Sequence, residues 1–195
     1  MIIAVILAAG RSIRMGQPKM LLPWGETTVL GQVIETVRRA GVEEIVVVTG
    51  GAREAVERLA ASYQARTAFN EDFESGEMLS SLQTGLMEAR KNPSAAGALI
   101  VLGDQPQVEE RSVRAVASRF EAGRVRLVVP SYRMRRGHPW LAARPLWEEI
   151  LQMRPPETPR DFLNRHADEI EYVEAGTPSI FADLDTPEDY LQSKP

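Results

Sequence analysis

The sequence predicts an α/β protein: an open, mostly parallel sheet with helices on both faces. Short β-branched runs alternate with helix-period segments, and parallel strands need crossovers whose right-handedness covers each face of the sheet. Two of the runs, Ile2–Leu7 and residues 98–102, are apolar without interruption, as strands buried on both sides are.

The first strand, Ile2–Leu7, leads through a glycine-containing loop to a helix over 28–40, with Gly41 placed to end it in a left-handed cap. A strand over 45–49 precedes a short helix over 54–61, where Ala55, Val56, Leu59 and Ala60 recur at helical spacing. The third strand, 65–69, carries a weaker signal. The next helix, 78–90, turns Leu79, Leu82, Leu86 and Ala89 inward, and the strand 98–102 stops at Gly103-Asp104. A helix over 108–121 and a strand over 125–130 follow. The pattern then changes: residues 132–143, around Gly137-His138-Pro139, read as an irregular antiparallel excursion forming a small subdomain. Short helices near 146–151 and 161–165, a strand at Ile170–Glu174 and a helix from Pro187 complete the chain. With 195 residues, no internal repeat and no long linker, one domain spanning 1–195 is expected.

Composition narrows the function. Lys plus Arg number 23 against 27 Asp plus Glu, a net charge of −4, which disfavours a nucleic-acid binder. There is no cysteine, so thiolate nucleophiles, thiolate metal sites and disulfides are excluded, and a reducing cytoplasm is the expected location. The apolar run of residues 2–9 is far short of a membrane span and has no basic residue before it, so a buried strand is expected rather than a signal or membrane segment.

The chemistry is concentrated in the first loop, Leu7-Ala8-Ala9-Gly10-Arg11-Ser12-Ile13-Arg14-Met15-Gly16-Gln17-Pro18-Lys19. Small residues let the main chain approach a ligand, and backbone N–H groups after a strand form an anion cradle. Arg11, Arg14 and Lys19 add cations suited to a polyphosphate. The loop has neither the P-loop spacing nor the glycine spacing of dinucleotide binders, which counts against a dehydrogenase. Asp104 stands at the rim where open sheets place ligands, and a carboxylate there suits Mg²⁺; its alternative is to cap the turn before Pro106. Asp183 and Asp185 alternate around Leu184, so in a strand they share a face, while Thr186-Pro187 reads as a helix cap and first-turn proline. Arg133, Arg135, Arg136, Gly137 and His138 gather positive charge that would attract an anionic acceptor. His166, in a polar helical stretch, reads as a surface residue.

The first loop, with Gly103-Asp104-Gln105-Pro106, Arg136-Gly137-His138-Pro139 and the run Asp183-Leu184-Asp185-Thr186-Pro187-Glu188-Asp189-Tyr190, resembles the MobA-like nucleotidyltransferases over nearly the whole chain. The likeness is strongest to the MocA-type branch, the molybdenum cofactor cytidylyltransferases. This resemblance implies a Rossmann-like fold of the nucleotide-diphospho-sugar-transferase kind. It assigns Leu7, Ala8, Ala9, Gly10, Arg11, Ser12, Arg14 and Lys19 to the nucleotide, with Asn70 and Ser81 as further contacts. Lys19, Arg14 and Asp104 become the catalytic candidates, Asp104 with Asp183 or Asp185 the Mg²⁺ ligands, and Arg136, Gly137, His138 and Arg160 the acceptor site.

On this resemblance the expected reaction is Mg²⁺-dependent transfer of CMP from CTP to the phosphate of molybdopterin or its molybdenum-loaded form, with release of pyrophosphate. Leu-Ala-Ala-Gly, rather than the Leu-Ala-Gly-Gly of the guanosine branch, favours CTP over GTP. One departure stands out: where relatives carry Gly-Asp-x-Gly-Ala-Arg, residues 155–161 read Pro-Pro-Glu-Thr-Pro-Arg-Asp, and of that segment Arg160 alone corresponds. The alternatives are GTP or another phosphorylated acceptor, and a non-catalytic carrier delivering the cofactor to a molybdenum hydroxylase or working with its maturation factor.

Overall fold

In the computed structural model, which describes residues 1–75 and 78–195, strand β1 (Ile2–Leu7) is buried along its whole length. Its alternating side chains feed two cores. Ile3, Val5 and Leu7 face one hydrophobic cluster while Ile2, Ala4 and Ile6 face another, the period-2 consequence of a strand covered on both sides. On the second face lie α1 (Val29–Arg39), α2 (Arg53–Ser62) and α4 (Glu110–Glu121), which bury Leu30, Ile34, Val56, Val113 and Val116 there. On the first lie α3 (Met78–Ala89), α5 (Trp147–Gln152) and α6 (Pro159–Arg165), contributing Leu82, Leu86, Ile150 and Phe162. Helix α1 ends as its sequence dictates, with Gly41 at φ 95°.

Beside β1 run β4 (Glu44–Thr49) and β6 (Gly97–Leu102), both parallel to it, and β5 (Arg66–Phe69) pairs parallel with β4 at the edge. Beyond β6 the sheet continues with β9 (Trp140–Ala143), β7 (Leu127–Tyr132) and β10 (Ile170–Glu174), and β8 (Arg135–Arg136) pairs with β7. Strand β9 is antiparallel to both of its neighbours. A two-residue hairpin, β2 (Pro23–Trp24) with β3 (Thr27–Thr28), stands apart, and α7 (Pro187–Ser193) ends the chain.

The excursion over residues 132–143 is therefore not a small subdomain. It makes a tight turn at Arg133 and Met134, both at positive φ, pairs briefly as β8, and threads β9 into the sheet between β6 and β7. The physical reason is the run Trp140-Leu141-Ala142-Ala143, which is buried throughout, with Trp140 packed on Phe162 at 6.1 Å between ring centroids. Those four apolar residues are stable only inside the sheet. No helix among the described residues is long and apolar enough to cross a membrane.

Candidate active site

The carboxyl ends of β1, β4, β5 and β6 point to one side, and the loops leaving β1, β5 and β6, with Asp185, enclose a cleft of about 490 Å³. Three main-chain bonds hold its floor: Ala8 N–H donates to Val48 O (3.0 Å), Gly103 N–H to Leu7 O (3.0 Å) and Gly51 N–H to Ala9 O (3.3 Å). The first loop then turns outward through Ser12, at φ 53°, and a 3-10 turn at Ile13–Met15. Ser12 Oγ accepts the Lys19 N–H at 3.1 Å and closes the loop on itself. Buried Met15 anchors it beneath, with Leu22, Trp24, Val29 and Leu184.

Of the residues expected on the nucleotide, Leu7, Ala9, Gly10, Arg11, Ser12, Arg14, Lys19 and Ser81 line this cleft. Ala8 does not; it is buried on the α1–α2 side and borders a separate hollow of about 260 Å³ behind the loop. Asn70 is also outside the cleft lining, fully engaged in local structure: Nδ2 donates to Ser80 Oγ and Ser81 Oγ (3.0 Å each), and Oδ1 accepts the Asp72 N–H (3.0 Å). It ties the loop after β5 to the start of α3, the ordinary duty of asparagine in a turn. Met20, Phe73, Glu74 and Met78 also line the cleft, without having been singled out from the sequence. Met20 lies just past the first-loop motif, Phe73 and Glu74 lie in a stretch with no periodic signal, and Met78 opens the helix over 78–90 ahead of its inward-facing positions.

The charged centre joins distant parts of the chain. Lys19 Nζ donates to Asp104 Oδ2 in a very short contact and to Leu184 O at 3.1 Å, and lies 3.7 Å from Asp185 Oδ1. Arg14 Nη2 reaches Asp185 Oδ2 at 3.2 Å, across the mouth of the cleft. Both Lys19 and Asp104 are largely withdrawn from water, so their attraction is less screened than that of Arg14 with Asp185. Leu184 is fully buried and its N–H donates to Asp104 O at 3.1 Å, fixing the 183–185 segment against the end of β6.

Asp183 and Asp185 flank Leu184, but in an irregular segment rather than a strand. Their surroundings differ. Asp185 shares Lys19 and Arg14, whereas Asp183 Oδ1 accepts from Gln105 Nε2 at 2.7 Å. Loss of hydration raises the Asp183 pKa; the charges of Asp104 and Asp185 add to this, while the Gln105 hydrogen bond and Lys19 oppose it. Neither aspartate caps α7; Thr186 does, in a capping box with Asp189.

A hard divalent cation fits these residues. The donors at the centre are carboxylate and carbonyl oxygens, and the aspartates repel one another with Lys19 as the counter-charge between Asp104 and Asp185. No ready-made group of three or more His, Cys, Asp or Glu ligands exists among the described residues. Mg²⁺ does not require one, since it binds through one or two carboxylates together with substrate phosphates.

A second cavity, about 620 Å³, contains all four residues expected on the acceptor: Arg136, Gly137, His138 and Arg160. Met78 lines both this cavity and the first cleft. Arg136 is held by Tyr172 Oη (2.8 Å) and Asn164 Oδ1 (2.9 Å). A Cβ on Gly137 would stand 2.6 Å from Ile180 O, so glycine alone fits that position. Burial pushes the His138 imidazole down to about 4, so it is neutral near pH 7 and offers a hydrogen bond rather than a charge. The divergent 155–161 segment forms the N-terminal entry of α6, with Thr158 and Asp161 in a capping box and Pro159 in the first turn.

His166 is not a free surface residue. Its ring contacts Glu169 Oε1 at 2.8 Å and Glu149 Oε2 at 2.7 Å, and lies 4.7 Å from the Phe162 ring between centroids. The sequence conceals this because Glu149 lies a full element away.

Residues 4–170 match the MobA-like NTP transferase domain. The chain is 29% identical to a molybdenum cofactor cytidylyltransferase of Escherichia coli over 97% of its own length and 94% of that protein. It is also 33% identical to a protein named nicotine blue oxidoreductase from Paenarthrobacter nicotinovorans, over 69% of this chain and 67% of that one. Among solved structures it resembles Rv0371c of Mycobacterium tuberculosis, with a TM-score of 0.79, 32% identity and coverage of 98% and 96% of the two chains. The same protein solved in complex with manganese matches with a TM-score of 0.75 and 31% identity, covering 98% and 96%. The chain is a nucleotidyltransferase and belongs to the MobA-like NTP transferase domain family.

Proposed function

We propose that this nucleotidyltransferase moves CMP from CTP to the phosphate of molybdopterin or its molybdenum-loaded form, with Mg²⁺, in one domain spanning residues 1–195. The observation that carries the reading is the meeting of Lys19, Asp104 and Asp185 in the cleft lined by Gly10, next to a cavity that gathers Arg136, Gly137, His138 and Arg160. One compartment suits a triphosphate and the other an anionic acceptor. The full-length likeness to the cytidylyltransferase and Ala9 in the first loop support CTP as donor.

In this reading the backbone of residues 9–12, with Arg11 and Arg14, cradles the triphosphate. Asp104 with Asp185 or Asp183 would hold a divalent cation, which would supply charge neutralisation and orientation. An acceptor phosphate oxygen attacks the α-phosphorus, the bond to the β-phosphate breaks, and pyrophosphate leaves. Lys19 stabilises the charge that develops on the α-phosphate. Arg136 and Arg160 hold the acceptor anion, and neutral His138 donates a hydrogen bond. No general base is needed, because a phosphomonoester is largely ionised at neutral pH.

Incubation of the protein with Mg²⁺, each common triphosphate in turn and a molybdopterin source should release pyrophosphate with CTP and not with the others. Release with GTP, or with another phosphorylated acceptor only, changes the substrate and keeps the enzyme class. Tight binding of a cytidylylated cofactor without pyrophosphate formation selects the carrier that serves a molybdenum hydroxylase. The oxidoreductase named among the relatives gives a third outcome, NAD(P)H consumption without pyrophosphate, which the absent dinucleotide-binding glycines argue against.

A further inference from the structure

We propose that Gln105 is a positioning residue that joins the two compartments: its side-chain amide holds the Asp183 carboxylate and the Ile180 carbonyl, and that carbonyl also accepts the His138 N–H. The inference rests on the metal-and-nucleotide reading of the first cleft.

The residue is 3% exposed and lies in the sheet-edge turn directly after Asp104. Its Nε2 donates to Asp183 Oδ1 at 2.7 Å and makes a longer contact to Ile180 O at 3.5 Å. Ile180 O in turn accepts from His138 N at 3.1 Å and presses on Gly137, leaving no room for a side chain there. Thus two adjacent residues, Asp104 and Gln105, grip the 180–185 segment from below, since Leu184 N–H donates to Asp104 O at 3.1 Å. The segment carries Asp183 and Asp185 on one side and forms the backbone wall behind His138 on the other.

The orientation of the amide is fixed by its neighbours. Both groups facing Nε2 are pure acceptors, so a flipped amide would set oxygen against oxygen. In the orientation present, Gln105 Oε1 is buried with no hydrogen-bond partner among the described residues. Packing alone would favour an apolar side chain of the same length, because a buried unpaired oxygen is a cost. What the amide supplies that an apolar side chain would not is a donor that orients the Asp183 carboxylate. A carboxylate has about four acceptor sites and the amide uses one, so Asp183 stays available to a cation while its rotation is fixed.

The test is Mn²⁺ binding followed by electron paramagnetic resonance, with tripolyphosphate present to supply the phosphate ligands and neither nucleotide nor acceptor, so that the readout depends on no base or acceptor identity. Gln105→Met keeps the length and removes the donor. It should weaken Mn²⁺ binding by about 10-fold or more, the usual effect of losing a partner that orients a ligand. In an Asp183→Ala background the same change should add nothing, because Gln105 acts through Asp183. Should Gln105→Met fail to fold, Gln105→Asn, which keeps the amide one methylene short of Asp183, is read in the same way. Mn²⁺ affinity within about twofold of the parent in a folded variant overturns the proposal, since outer partners ordinarily cost more. If Asp104→Asn also leaves Mn²⁺ affinity unchanged, the metal reading itself is at fault rather than the role of Gln105.

Discussion

Lys19 sits at the point where three segments distant in sequence meet, touching Asp104, Leu184 O and Asp185 from the end of the first loop. Removing its ammonium while keeping the loop should therefore affect charge stabilisation more than folding. Lys19→Ala is expected to lower pyrophosphate release by about 10²-fold or more, by analogy with loss of one strong electrostatic stabiliser. Unchanged release in a folded Lys19→Ala protein would remove Lys19 from the mechanism. For His138, burial holds the imidazole at about 4, so its ring should show no midpoint between about pH 5.5 and 8 in a nitrogen-15 NMR titration. A midpoint near 6.5 would mean that burial does not hold the ring neutral and that it carries a partial charge near neutral pH. At this scale the sequence revealed which residues carry charge and which loop they share. It did not reveal that Asn70 also donates to Ser80 and Ser81, because these become its neighbours only when α3 packs against β5; the bond from the Asp72 N–H is a local turn contact two residues on.

Most elements were legible where a period or a cap marks them. Helix α1 ends at its glycine, α7 starts at Thr186-Pro187, and α3 turns Leu79, Leu82, Leu86 and Ala89 inward. Strand β9 was not, because four apolar residues after an arginine-rich turn have no period of their own. The join between α5 and α6 was equally hidden, since it depends on His166 meeting Glu149. Burial lowers the His166 pKa, but its hydrogen bonds to the Glu169 and Glu149 carboxylates and their charges outweigh it, so the net shift is upward. A histidine whose folded value is raised stabilises fully below its unfolded value and loses that contribution as pH rises through the folded value. Urea denaturation of the parent and His166→Gln should therefore diverge most at about pH 5.5 and converge by about pH 9, given an unperturbed value near 6.5. A difference that grows toward alkaline pH would contradict this ion-pair account.

For the whole molecule, the cleft and the neighbouring cavity, which share Met78, lie side by side above one sheet, so a bound nucleotide should stabilise the entire fold. CTP with Mg²⁺ at about 100 times its dissociation constant should add about 2.7 kcal/mol and raise Tm, with GTP giving a smaller rise at equal concentration. A rise with GTP and none with CTP in a thermal melt would reverse the assignment of the donor. What the sequence determined alone was the alternation of strands and helices, the cation-bearing first loop and the order of its motifs, because periodicity and turn chemistry are local properties. Tertiary structure decided the rest: that β9 enters the sheet, that Asp183 faces Gln105 while Asp185 faces Lys19, and that Arg136 and Arg160 share a cavity. Those relations span tens of residues along the chain, and only the closing of the sheet around its buried apolar strands brings them within bonding distance.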